Sequence, residues 1–203
     1  CRTPEIIRRA WSMAISGRPG PVVVALPEDV LTQSAEIEIP TTPILAPKSA
    51  AVAADLEQLA VKLQSAERPV ILAGGGRWDA QDRSALQACA HKLNIPVVTG
   101  FRYHDLFDNT DPLFVGEAGV GMTANTKRVL TEADAVLAVN LRFGEMTTDA
   151  FTLFGANRGA QWIAQSHRSG DEFHKYVAPN LSMISDPAPL LQGLMARLEA
   201  ADM

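Results

Sequence analysis

The stretch Pro69-Val70-Ile71-Leu72-Ala73-Gly74-Gly75-Gly76-Arg77 decides the fold of this chain. Its apolar run, Val70 to Ala73, predicts a buried strand, and the three glycines after it predict a tight turn. Asp79 is suited to begin a helix behind that turn. A strand, a glycine turn and a helix in this order are typical of the start of a parallel sheet, and also of many nucleotide sites.

Segments that predict strands alternate with segments that predict helices through the rest of the chain. The predicted strands are 70–73, 95–98, 135–139, 161–165 and 181–184, and the predicted helices are 79–92, 123–132, 147–154 and 188–199. A loop rich in glycine and aromatic residues is predicted at 99–122. Nearly continuous apolar strands that alternate with helices indicate an α/β fold, a three-layer Rossmann-like parallel sheet of about six strands with helices on both faces.

The residues before this pattern divide into two further parts. Residues 4–16 predict an amphipathic helix and Val22–Leu26 a buried strand, but no sheet accompanies them. We interpret residues 1–31 as the tail of a preceding domain. Prolines make residues 32–47 an extended linker, after which a helix from Ser49 opens a domain at 48–203.

Composition and charge exclude several classes of function. The 203 residues are 47% apolar and 20% charged, an ordinary globular balance. The net charge of −5, without a basic cluster, argues against nucleic acid as a partner. No apolar run predicts a membrane span. Two cysteines, Cys1 and Cys89, suggest no disulfide framework, so we expect a reducing, cytoplasmic setting. The start at Cys1, inside a helical pattern, suggests a piece of a longer protein.

The glycine turn Gly74-Gly75-Gly76 has two possible roles. It is a phosphate cradle if its backbone N–H groups face an anion at a helix N-terminus, and otherwise a tight turn without a ligand. The dinucleotide fingerprint G-x-G-x-x-G is not met, because Asp79 stands at the third glycine position. The acidic residue expected after the second strand is also missing, since Thr99 and Gly100 stand there.

A second candidate site follows the predicted strand 135–139. Arg142 is suited to bind a phosphate or carboxylate, and Phe143 to stack on a ring. The alternative is that Arg142 pairs with Glu145 or another surface acid and Phe143 lies in the core. The glycines at 116, 119 and 121 raise the same choice between an anion-binding turn and plain loop geometry. No metal site is predicted, since the histidines lack zinc-ligand spacing, and no catalytic residue is assigned.

Several segments, taken in order, resemble a known family. Residues 10–30 resemble the end of the pyrimidine-binding domain of thiamine-diphosphate-dependent enzymes, and Arg68 to Gly76 resembles the opening of their central domain. The match continues through Asn94-Ile95-Pro96-Val97-Val98-Thr99 and through residues 133–144. The acetolactate synthase-like branch of the family is the nearest.

The resemblance implies a central structural domain within a 2-keto acid decarboxylase or carboligase. Thiamine diphosphate and Mg²⁺ would be bound by the parent's pyrimidine and diphosphate domains and not by this piece, which would not be catalytic by itself. The diphosphate-domain motif and the activating glutamate of the family lie outside these residues. The parent is expected to be a homodimer or homotetramer.

The resemblance also bears on nucleotide binding, because some relatives bind FAD or ADP in this domain. The positions that match their nucleotide-facing turns are Gly74, Gly75, Gly76, Thr99, Gly100, Arg142 and Phe143. Flavin-binding relatives carry acids at a strand end where this chain has Ile163-Ala164-Gln165-Ser166-His167, so we expect no tight FAD. An adenine-nucleotide-binding regulatory module is the alternative function. A free-standing NAD-dependent oxidoreductase, the third, is disfavoured by the failed fingerprint.

Overall fold

The computed structural model describes residues 2–39, 41–154 and 161–201. The chain divides into two units, Cys1–Lys48 and Ser49–Met203. In the first unit, helix α1 spans Thr3–Ile15 and the single turn α2 spans Glu28–Leu31. The buried strand predicted at Val22–Leu26 is wrong, because these residues form no ladder and Val23 is 92% exposed. An apolar run becomes a strand only when neighbouring strands satisfy its backbone groups, and the described part of this unit contains none.

The second unit alternates strands and helices. Its elements are α3 (Ala53–Ser65), β1 (Pro69–Ala73), α4 (Ala80–Leu93), β2 (Val97–Gly100), β3 (Phe114–Ala118), α5 (Ala124–Glu132), β4 (Ala135–Val139), β5 (Trp162–His167), β6 (Leu181–Ile184) and α6 (Pro187–Ala201). All pairings are parallel, and the strand order is β3-β2-β1-β4-β5-β6. The direction of winding therefore reverses between β1 and β4, which makes their carboxyl ends the switch point of the sheet.

Alternate residues of each strand face opposite layers, as the pleat requires. Ile71 and Ala73 of β1 pack with α3, α4 and α6, whereas Val70 and Leu72 pack with α5 and the segment 141–154. The central strands are apolar on both faces because both faces are covered. The α/β class, the parallel sheet and the helices on both faces are thereby confirmed.

Two local predictions are wrong. The expected loop at 99–122 contains β3, an edge strand whose Gly116 has φ 139° and whose pairing shifts register at Val97 and Val98. The expected short helix at 147–154 is a series of turns. Asp149, Ala150 and Phe151 have φ of 49°, 53° and 63°, values that a right-handed helix excludes.

Candidate functional site

The glycine turn lies at the switch point, and its glycines are required by the chain itself. A Cβ atom on Gly75, where φ is +75°, would lie 2.0 Å from the carbonyl oxygen of Asn140. A Cβ on Gly74 would lie 2.3 Å from Cδ1 of Leu141. Both neighbours follow β4, so the two strand ends approach each other too closely for larger residues. Gly76 differs, because no atom lies within 4 Å of its Cβ position.

Side chains of the protein bind the carbonyl oxygens of this turn. The Asn140 amide donates to the carbonyls of Gly74 and Gly76, at 3.3 and 3.0 Å. The Trp78 indole N–H donates to Gly74 at 2.8 Å. Asn140 is buried and has φ of 52°, a left-handed conformation that asparagine tolerates better than most residues. The turn is therefore closed from within by hydrogen bonds.

A buried arginine completes this closure. Arg168, which follows β5, donates from Nη1 to the carbonyl of Gly76 at 2.8 Å and from Nη2 to that of Arg77 at 2.7 Å. Its Nε lies 2.5 Å from Oδ1 of Asp186, and Nη2 lies 3.4 Å from Oδ2 of Asp82. All three charged side chains are buried. The guanidinium thus joins the end of β5 to the turn after β1.

The N-termini of α4 and α6 face carboxylates of the chain. Asp79 caps α4 by accepting from the N–H of Asp82, whose side chain accepts from Asp79 in return. The N–H of Ala188, in the first turn of α6, donates to Asp82 at 2.9 Å. Asp186 accepts from the backbone N–H of Ser49 at 2.8 Å. Asp79 and Asp82 thus accept N–H groups at the starts of α4 and α6, groups of the kind that bind phosphate at helix N-termini in nucleotide sites.

The same contacts shift the pKa of the Asp186 carboxyl group. Burial by itself would raise the pKa of its carboxyl group, but the hydrogen bond from the N–H of Ser49 and the charge of Arg168 outweigh burial. The pKa therefore lies below the ordinary value for an aspartic acid. Asp186 is a carboxylate at neutral pH, and it forms an ion pair with the guanidinium.

The remaining predicted positions lie along the same edge of the sheet. Thr99, at the end of β2, is fully buried, and its hydroxyl has no hydrogen-bond partner within the described part of the chain. A Cβ on Gly100 would lie 2.7 Å from Cδ1 of Leu141. Gly100 is therefore another position where the segment after β4 leaves no space for a side chain.

Arg142 and Phe143 have different surroundings. The Arg142 side chain is 52% exposed, and its Nε lies 4.0 Å from a carboxylate oxygen of buried Glu172. Lys175 contacts the other oxygen of Glu172 at 3.2 Å. Phe143 is buried and packs edge-on against Phe154, with ring centroids 5.3 Å apart. Arg142 is thus accessible to a ligand, whereas the ring of Phe143 is part of the core.

A cavity of about 390 Å³ lies at the same edge, beside the start of α5. Its lining includes the backbone of 119–122, together with Lys127, Glu145 and Asp149. Lys127 is already paired with Asp149 at 2.6 Å. Two acids and one base give this cavity a negative formal charge, which disfavours an anion at the turn formed by the glycines at 119 and 121.

The described residues do not provide a metal centre or a membrane span. No group of three or more acidic, histidine or cysteine side chains in this part of the chain is placed to hold a metal ion. No helix among the described residues is both long enough and apolar enough to cross a bilayer.

Sequence reasoning missed the residues that close the turn. The pattern Asp79-x-x-Asp82 was a usable local signal, because an acid at the third helical position after an N-cap forms a capping box. Arg168 and Asp186 gave no such signal. Their partners lie far away in the sequence, since Arg168 and Gly76 are 92 positions apart.

This strand order, with a glycine turn at its switch point, defines the class of doubly wound α/β domains that includes the dinucleotide-binding folds. Comparison with known proteins identifies the family. Residues 56–194 match the model of the thiamine pyrophosphate enzyme central domain. The chain belongs to this family, and the resemblance drawn from its sequence motifs is confirmed.

Several similar curated proteins are acetolactate synthase large subunits. A probable acetolactate synthase large subunit of Methanocaldococcus jannaschii is 31% identical over 98% of this chain and 34% of its own length. The large subunit of Corynebacterium glutamicum is 33% identical over 98% of this chain and 32% of its own length. Isozyme 1 of Escherichia coli is 30% identical over 97% and 34%. The chain thus spans about a third of the length of the curated relatives it matches.

Proposed function

We propose that this chain is the central structural part of a thiamine-diphosphate-dependent 2-keto acid decarboxylase or carboligase, similar to acetolactate synthase. The observation that carries the proposal is the family match over 56–194, joined to acetolactate synthase relatives that align with 97–98% of the chain. Within the chain, 1–31 are the tail of a pyrimidine-binding domain, 32–47 a linker and 48–203 the central domain.

In this proposal catalysis belongs to domains beyond these residues. Thiamine diphosphate with Mg²⁺ supplies the carbanion chemistry that decarboxylation of a 2-keto acid requires. The described residues supply no candidate metal centre, and the buried charges at the switch point are paired with one another. We assign this chain a role in the architecture of the parent, which is a cytoplasmic homodimer or homotetramer in this proposal.

A direct assay tests whether catalysis requires the parent domains beyond this chain. The chain and the full-length parent are each incubated with pyruvate, thiamine diphosphate and Mg²⁺, and released CO₂ is measured. We expect release by the parent and none by the chain. Release by the purified chain would place catalytic groups inside it and refute the structural role. A parent inactive with all 2-keto acids would refute the decarboxylase assignment.

Adenine-nucleotide binding, by FAD or ADP, is the second candidate function. One observation favours it, the half-exposed Arg142 at the carboxyl end of β4, the edge where ligands of this fold bind. The start of α4 behind the glycine turn is a poor phosphate site, because the carboxylate of Asp79 already accepts the N–H of Asp82 and its negative charge opposes an anion.

Thermal-shift measurements separate the two candidates. The chain is titrated with ADP, FAD, NAD and CoA, and a saturable rise in Tm with one of them supports the binding module. The variant Arg142→Ala should abolish that rise if the arginine contacts the nucleotide. No rise with any ligand favours the purely structural role.

A further inference from the structure

Arg168 lies where three connections of the sheet meet. It follows β5, and its guanidinium contacts the turn after β1, the first turn of α4 and the segment between β6 and α6. Only 6% of the side chain is exposed. A buried charge of this kind is tolerated only when its donors are satisfied and its charge is neutralised.

The surrounding acceptors match the shape of a guanidinium group. Two backbone carbonyls and two carboxylates, one each from Gly76, Arg77, Asp82 and Asp186, receive hydrogen bonds from all three nitrogens of Arg168. A guanidinium presents its five donors in a rigid planar fork, whereas an ammonium group presents three donors from a single nitrogen. A lysine at this position would therefore leave acceptors unsatisfied.

The two carboxylates of this shell are oriented by donors other than the arginine. Asp82 accepts from the backbone N–H groups of Asp79 and Ala188, at 3.2 and 2.9 Å. Asp186 accepts from the backbone N–H and the hydroxyl of Ser49, at 2.8 and 3.2 Å. Each carboxylate is thus oriented by backbone donors from elements other than β5. The two carboxylates therefore belong to other elements of the domain than the segment after β5 that carries Arg168.

We propose that these acceptors form a guanidinium-binding site in which the Arg168 side chain is a covalently tethered ligand. Its occupancy fixes the glycine turn by holding the carbonyls of Gly76 and Arg77. Its two carboxylates and two carbonyls select a planar cation and repel anions.

Chemical rescue of the truncated side chain tests the proposal. We expect Arg168→Ala to lower the Tm by roughly 10 °C, because two buried carboxylates lose their counter-ion. Ethylguanidinium chloride at millimolar concentration should raise that Tm saturably, while ethylammonium chloride at equal ionic strength should not. The wild-type Tm should not respond to either salt. Equal responses to both salts, or an Arg168→Ala protein as stable as the wild type, would overturn the proposal.

An NMR signal reports the conformation of the glycine turn. The indole N–H of Trp78 donates to Gly74, so its ¹H–¹⁵N cross-peak, assigned with Trp78→Phe, follows the conformation of the turn. In Arg168→Ala this peak should move, and ethylguanidinium should return it toward the wild-type position. A rise in Tm with an unmoved peak would show that the cation stabilises the protein without fixing the turn, and would overturn that part of the inference.

A matched control lies at the same turn. Arg83 donates to the carbonyl of Trp78 at 2.8 Å and pairs with Asp105, but its side chain is 38% exposed. Arg83→Ala should show no rescue, because an exposed pair leaves no enclosed site.

If Arg168→Ala does not fold unaided, it is refolded from urea with and without ethylguanidinium. Equal yields of folded protein would then count against the site.

Discussion

Gly75 and Asn140 are in such close contact that a Cβ on Gly75 would fall 2.0 Å from the Asn140 carbonyl oxygen. Gly75 also has φ of +75°, which an alanine adopts only with strain. Gly75→Ala should therefore reduce the free energy of unfolding by about 2–4 kcal/mol, the sum of backbone strain and overpacking. Urea denaturation measures this loss.

The neighbouring glycine provides the control for that variant. No atom lies within 4 Å of the Cβ position of Gly76, and its φ is not positive. Gly76→Ala should change the free energy of unfolding by no more than about 0.5 kcal/mol. If the two substitutions had equal effects, the close approach of the segment after β4 would not be the reason that glycine is required at position 75.

The amide of Asn140 can be tested with an isosteric change. Asn140→Asp removes the N–H donors to Gly74 and Gly76 and sets a carboxylate beside two carbonyl oxygens. We expect a loss of about 2–3 kcal/mol in the free energy of unfolding. Asn94 is also left-handed, with φ of 50°, but it is exposed at the end of α4, so Asn94→Asp should cost less than about 1 kcal/mol. Calorimetry of Asn140→Asp and Asn94→Asp separates the loss of the Asn140 hydrogen bonds from the strain of a left-handed backbone.

The depressed pKa of Asp186 predicts how stability depends on pH. Its carboxylate is favoured by folding, so its contribution is fully present above the pKa of the unfolded chain, about 3.9, and is lost as pH falls through the lower pKa of the folded state. The free-energy difference between wild type and Asp186→Asn should be constant from pH 8 to pH 5 and shrink below about pH 4. A difference that grows on acidification would contradict the ion pair.

Cys89 should be chemically inert while the domain is folded. It is fully buried, and burial raises the pKa of its thiol to about 12. In a Cys1→Ser background, maleimide at pH 8 should modify the folded protein about 100-fold or more slowly than the protein in urea, because the thiolate must form and be reached. An exposed thiol introduced by Ser65→Cys is the positive control. Fast labelling of the native protein would show local opening of α4.

The sequence predicted the elements whose signals are local. The run 70–73 and the N-cap Asp79 were recognised because apolar periodicity and capping depend on neighbouring residues. Strand β3 was missed because Gly116 interrupts its pattern and because an edge strand is only partly buried. Its backbone conformation is fixed by pairing with β2, which no local pattern reports.

The candidate site, too, was predicted only as far as local sequence patterns reach. Gly74–Gly76 were chosen correctly as a turn, yet what holds them was not foreseen. No spacing in the sequence links Arg168, Asp82 and Asp186, and only the parallel topology brings them together at the switch point. Pairing between distant charges is set by the fold, and a single sequence does not encode it in any recognisable spacing.

The hydrogen bond between Ser49 and Asp186 has a consequence for synthesis on the ribosome. The two residues are 137 positions apart, and translation adds about 5–20 residues per second, so the partner of Ser49 emerges about 7–27 s after it. The central strands are synthesised within that interval, but until its end the nascent chain lacks Asp186 and α6. Chaperone capture of the growing polypeptide should therefore persist until α6 has left the exit tunnel.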